Sequence, residues 1–231
     1  MNPNIPIFIM LLNDTELNIY KNKVFIKLMK QFLNKYGLYY NCVFIYNGEE
    51  NHQTLIDADI TNTYKVNTID FITHENEFKA VYEYLTNINI KYDWFITMDI
   101  CQISKDPNTI YEAIRNISDN YDFLCFSSYS LNKLKYKLNE NNKLISTSFK
   151  YKDDIIKHID TSLFITKVKW FMQCCKDSNF DVDEFGKCFW KGNYQILDTS
   201  NQLNIHLLTK GQVDNFIEMI NDILDLNKSS K

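Results

Sequence analysis

Four short apolar runs, each stopping on a polar turn and most separated by stretches of helical period, constrain this chain more than any other feature. The first, IPIFIMLL (residues 5–12), ends at once on Asn13-Asp14-Thr15. The next segment, LNIYKNKVFIKLMKQFLNKYG (residues 17–37), repeats its apolar side chains at helical spacing and closes on Gly37. A second strand is expected in YNCVFIYNG (residues 40–48), a third in NTIDFIT (residues 67–73) and a fourth in DWFITMD (residues 93–99). An amphipathic helix, ENEFKAVYEYLTNIN (residues 75–89), precedes the fourth. Strands that alternate with helices need crossover connections, which are right-handed and cover both faces of a mostly parallel sheet. The expected class is therefore α/β, a Rossmann-like three-layer α/β/α arrangement.

The second half is less regular and predicts a mixed sheet. DPNTIYEAIRNI (residues 106–117) starts a helix with proline at its first position. YDFLCFSSY (residues 121–129), NKLISTSFKY (residues 142–151) and IDTSLFIT (residues 159–166) are expected strands. KVKWFMQCCKD (residues 167–177), DEFGKCFWKG (residues 183–192) and QVDNFIEMINDILDL (residues 212–226) are expected helices. No repeat, proline-rich linker or low-complexity block interrupts the chain. Residues 1–231 are accordingly read as one domain, with residues 227–231 as a frayed tail.

Composition excludes several partners. With a net charge of −4 and scattered lysines, the chain lacks the broad basic face of a nucleic-acid binder. The six cysteines include no C-x-x-C pair, which points to reduced thiols and a cytoplasmic location. The first apolar run has no basic residue before it and NDTE directly after it, so it reads as a strand rather than a leader. Nothing approaches the ~20 apolar residues of a membrane-spanning helix.

In an open parallel sheet, ligands sit outside the carboxyl ends of the strands. The informative positions are thus Asn13-Asp14-Thr15, Asn47-Gly48-Glu49-Glu50, Thr73-His74-Glu75-Asn76 and Asp99-Ile100-Cys101-Gln102. They bring carboxylates and amides to one edge. Neither G-x-G-x-x-G nor G-x-x-x-x-G-K-[ST] occurs, and the five glycines leave little scope for backbone cradling of phosphates. A diphosphate held here would need a metal ion or Lys and Arg side chains.

The order of segments over roughly residues 5–210 resembles the GT-A-fold, nucleotide-sugar-dependent glycosyltransferases, close to the inverting family 2 pattern and to the small glycosyltransferase domains of large DNA viruses. The stretches that carry the resemblance are IYNGEEN, DWFITMDIC, DTSLFITKV, FDVDEFGKCFWKGNYQI and NIHLL. It implies transfer of a sugar, with inversion, from a nucleoside-diphosphate sugar such as a UDP-sugar to the hydroxyl of a glycan or other acceptor. For a viral chain it implies the host cytoplasm. A Mn²⁺ or Mg²⁺ ion is implied by the family's Asp-x-Asp motif, of which Asp99 matches the first acid while Cys101 replaces the last. Thiols suit these hard cations poorly. Three outcomes stay open: Asp99 and His206 hold the metal, lysines such as Lys210 replace it, or activity is lost.

By the same resemblance Asn13, Asp14, Asn47, Glu49, Asn76, Asp99 and Lys210 would contact the nucleotide sugar. Asp183, or else Asp181, would act as base, since inverting transfer must remove the acceptor's hydroxyl proton. Asp160 and His158 would face the acceptor. Two rivals are kept. One is a transferase-like domain that has lost turnover and binds a glycan or protein. The other is a nucleotidyltransferase on a similar sheet, which usually carries a glycine-rich, basic loop after strand one where this chain has LLNDTELNIYKNK.

Overall fold

The computed structural model describes residues 5–73, 75–89, 91–100, 114–115, 117–126, 135–138, 144–147, 163–189, 191–197 and 209–226. In chain order its elements are β1 (Ile7–Met10), α1 (Glu16–Lys35), β2 (Cys42–Tyr46), α2 (Glu49–Asp57), β3 (Thr63–Lys65), α3 (Glu77–Asn87), β4 (Trp94–Asp99), β5 (Phe123–Phe126), β6 (Lys135–Leu138), β7 (Leu144–Thr147), β8 (Leu163–Lys167), α4 (Val168–Ser178), α5 (Val182–Phe189), β9 (Tyr194–Leu197) and α6 (Lys210–Leu226).

Seven strands form one sheet in the order β3-β2-β1-β4-β8-β5-β9, and β6 pairs with β7 apart from it. Only β8 runs against its neighbours β4 and β5; the other pairings in the large sheet are parallel. The expected Rossmann-like, mostly parallel sheet with a mixed C-terminal half is what the chain forms. The reason lies in strand alternation, which sends successive side chains to opposite faces. Ile7 and Ile9, Phe44, and Ile96 and Met98 join one core with α1, Leu55 of α2 and Val213 and Phe216 of α6. Phe8 and Met10, Val43 and Ile45, and Phe95 join the other with α3, α4 and α5. Strands buried on both faces must be apolar throughout, which is why β1 and β2 read as unbroken runs.

Helix ends follow local chemistry. Thr15 caps α1 by accepting the Asn18 N–H at 3.1 Å. Gly37, at φ 65°, closes it in a Schellman turn: its N–H donates to Asn34 at 3.1 Å and the Leu38 N–H to Leu33 at 2.8 Å.

Two expectations need correction. Residues 67–73 are not a strand; the third strand is the short edge segment β3 just before them. Edge strands show one face and one side to water, so β3 carries no apolar signature. The helix α2 begins directly after Gly48, where the sequence predicts only a polar turn. No described helix is long and apolar enough to cross a membrane.

Candidate functional site

The sheet has one switch point. From β1 the chain leaves through α1 on one face toward β2, whereas β4 is reached through α3 on the opposite face. In an open α/β sheet such a point is where a ligand crevice is expected, here at the carboxyl ends of β1 and β4. Register places Met10 beside Asp99, so the acid that ends β4 stands next to the strand that leads into Asn13 and Asp14.

Amides shape the rim of that crevice. Asn13 donates from Nδ2 to the Asn47 carbonyl at 3.2 Å and accepts the Ile72 N–H on Oδ1 at 2.7 Å. Its own N–H donates to the Ile72 carbonyl at 3.1 Å. Asn47 donates to the Val66 carbonyl at 3.1 Å and also to the Ile69 carbonyl. Asn76 donates to the Phe71 carbonyl at 2.7 Å and accepts the Thr73 N–H at 2.6 Å. Three amides expected to face a nucleotide sugar thus hold the 66–73 segment against the ends of β1 and β2. Gly48 completes the fit: at φ 80° it adopts a backbone that favours glycine, and a Cβ there would lie 2.9 Å from Asn13 Nδ2.

A second layer of amides, missed in the sequence, sits beneath. Asn22 on α1 donates to the Leu12 carbonyl at 2.6 Å and to Asn51 Oδ1 at 2.8 Å, and Asn51 on α2 donates to the Leu11 carbonyl at 3.0 Å. Both side chains are buried, at 1% exposure. They satisfy carbonyls that emerge from β1 where ladder pairing ends. The available signal was a polar residue on the apolar stripe of α1.

The charged candidates occupy distinct places. Asp14 accepts from Asn18 Nδ2 at 2.6 Å. Glu49 lies at the start of α2, paired with Lys65 at 3.2 Å and His52 at 3.8 Å; the Lys65 ammonium holds its carboxyl below the usual range. Lys210 heads α6 with its ammonium 5.3 Å from the Tyr20 ring centroid, which brings it beside the first turns of α1. Tyr20 donates its hydroxyl to Asp214 at 2.6 Å, and that bond raises the phenol. Asp181 accepts the Glu184 N–H at 2.9 Å and so caps α5, while Asp183 lies within that helix. Asp181 thus sits at the start of a helix and not at the carboxyl end of β1, β2 or β4. Cys101, His158, Asp160 and His206 fall outside the described residues. Among those described, no group of three or more His, Cys, Asp or Glu side chains could hold a metal ion.

No family model matches the chain, and no curated protein matches it. Solved structures do. The chain is similar to the 4-diphosphocytidyl-2C-methyl-D-erythritol synthase of Anaerococcus prevotii, with a TM-score of 0.61 at 9% identity, covering 94% of this chain and 98% of that one. It is also similar to the inositol-1-phosphate CTP transferase of T. maritima, with a TM-score of 0.56 at 11% identity over 95% and 96% of the two chains. At such identities the likeness establishes the fold. It also corrects the expected glycosyltransferase membership, together with its UDP-sugar donor and sugar transfer to a hydroxyl, because these solved neighbours are nucleotidyl-transferring enzymes. The physical reason is that the order and spacing of polar strand ends are set by the sheet itself, and a shared sheet does not choose between the two reactions.

Proposed function

We propose that the chain is a nucleotidyltransferase that binds a nucleoside triphosphate, CTP first among the candidates, at the β1/β4 crevice. The observation that carries this reading is a fold shared over 94–95% of the chain with two enzymes named for cytidylyl chemistry, with Asp99 set against the outlet of β1. In this reaction a phosphate oxygen of the acceptor attacks the α-phosphorus of the triphosphate. The bond from the α-phosphorus to its bridging oxygen breaks, and pyrophosphate leaves with the electron pair. A phosphate monoester is already anionic near neutral pH, so Asp181 and Asp183 have no proton to remove.

The charge problem shapes the remaining roles. The connection from β1 to α1 is only residues 11–15, and it carries Asp14 rather than a glycine-rich basic loop. Phosphates must be neutralised by side chains and a cation instead. Magnesium is commonly held by one or two carboxylates with phosphates and water completing its shell. Asp99 would be such a carboxylate, with His206 as an auxiliary ligand. When bound, such an ion supplies charge neutralisation on the phosphates. Lys210 would supply the ammonium for the departing pyrophosphate, and Asp160 and His158 would face the acceptor. The buried thiols of Cys42, Cys174 and Cys175 accord with a reducing cytoplasm.

The test is pyrophosphate release with Mg²⁺, each of four nucleoside triphosphates and a panel of phosphorylated polyols. Turnover with at least one pair, lowered on the order of 100-fold by Asp99→Asn, is expected. If no nucleotide either binds or yields pyrophosphate, the reading fails.

A further inference from the structure

We propose that Phe71 is the platform on which the nucleobase stacks; this rests on the nucleotidyl-transfer reading above. Phe71 is 59% exposed, although its neighbour Ile72 is completely buried. A phenyl group left in water on a loose loop would need no explanation, but this loop is tied down on every side. The Val66 N–H donates to the Tyr46 carbonyl at 2.9 Å as the chain leaves β3. Asn47 then holds Val66 and Ile69, Asn13 grips Ile72 through both its side chain and its backbone, and Asn76 takes the carbonyl of Phe71 itself at 2.7 Å. From the far side Glu83 accepts the N–H groups of Asn67 at 2.9 Å and Thr68 at 3.0 Å. The backbone of residue 71 is thereby fixed beside the outlet of β1, with its side chain in solvent.

Position separates Phe71 from the other exposed large hydrophobics among the described residues. Tyr40 precedes β2, Tyr194 begins β9 and Ile56 lies near the end of α2, all away from the carboxyl ends of the strands. Phe71 alone belongs to a loop that crosses those ends. A phenyl ring has only two side-chain torsions to lose on binding, and on a fixed backbone it offers a π-face to any flat heterocycle. Stacking is tolerant of base identity, so Phe71 supplies affinity for the base without selecting which one.

The experiment compares CTP with inorganic tripolyphosphate, which has the phosphates but no base, by calorimetry with Mg²⁺ on the full chain. Phe71→Ala should weaken CTP by roughly 5- to 150-fold and leave tripolyphosphate binding unchanged. Phe71→Trp should keep CTP affinity and report binding by quenching of its fluorescence. Unchanged CTP affinity in Phe71→Ala overturns the stacking role while the nucleotidyl-transfer reading survives, and equal weakening of both ligands overturns it as well. A wild-type chain that binds no nucleotide overturns both.

Discussion

Among the described residues, the sheet beneath α1, α2 and α6 is covered mainly by aliphatic side chains, with four buried phenylalanines, whereas beneath α3, α4 and α5 it meets eight. On the second face the rings touch in series: Phe95 stands 5.2 Å from Phe8 and 5.0 Å from Phe171, and Phe78 stacks on Phe185 at 4.0 Å. The faces also hold the polar rim of the crevice differently. The aliphatic face does so with neutral amides, Asn22 and Asn51. The aromatic face does so with a carboxylate, Glu83. One sheet thus steadies the loop after β1 with an anchor that ignores pH and the loop after β3 with one that titrates. The difference shows that apolar cover and polar anchoring are separate problems, solved separately on each side.

Removing a ring from the aromatic stack tests the first half of that contrast and has the largest expected effect. Phe95→Ala empties the centre of a fully buried cluster whose rings constrain one another, and should cost about 3–5 kcal/mol in urea unfolding. Phe95→Leu, which keeps most of the volume, should cost about 1–2 kcal/mol. No loss in Phe95→Leu would show that ring packing adds nothing on this face beyond apolar bulk, and equal losses in the two variants would show that ring geometry outweighs bulk altogether.

Asn51→Ala tests the amide anchor. It leaves the Leu11 carbonyl without its side-chain donor and Asn22 Nδ2 without one acceptor, in a site closed to water. The expected loss is about 1–3 kcal/mol, the same at pH 7 and pH 4, since no titrating group is removed. A deficit that varies with pH would break the assignment of a neutral anchor to this face. Nucleotide affinity should fall with stability, because the Asn22–Asn51 pair fixes the end of β1 from which Asn13 and Asp14 emerge.

How far the sequence could be read follows the same division. Strands β1, β2 and β4 are buried on both faces, so each had to be an apolar run, and each stood out. The helices α1 and α3 bury one stripe and kept their period. Residues 67–73 misled because Ile69, Phe71 and Thr73 alternate with polar or buried partners as a strand would, while the forces that hold the segment come from Asn13, Asn47 and Asn76, distant in sequence or outside the run. The polar edge strand β3 and the terminal β9 lack an apolar run long enough to see. The site was partly legible: the strand ends do converge on one edge, but a polar residue at a strand end does not declare whether it faces a ligand or ties down a loop. Asn22 and Asn51 show the limit. Asn22 shows only as a polar residue on an apolar stripe, and Asn51 looks like an ordinary surface amide until the Leu11 carbonyl is placed beside it. Reaction type was illegible for a further reason, since the fold dictates the same polar edge for more than one phosphate chemistry.

The smallest expected effect falls on Glu83, and it sharpens the comparison most. Burial pushes this carboxyl upward, but the Thr68 hydroxyl and the backbone N–H groups of Asn67 and Thr68 bond its charged form and outweigh that cost, with Tyr64 adding a bond at 3.2 Å. The net result lies below the ordinary value of 4.5. The unfolded chain therefore takes up the proton first as pH falls, so the stabilisation is complete above that value and is lost as pH drops through the folded one. Glu83→Gln retains one acceptor oxygen where the carboxylate offers two, and should cost about 1–2 kcal/mol at pH 7. In urea unfolding followed from pH 7 to pH 3, that deficit should shrink as the wild type loses its own charge. A deficit constant across the range would mean that Glu83 acts by shape alone, and the two faces would then anchor the crevice by the same neutral means.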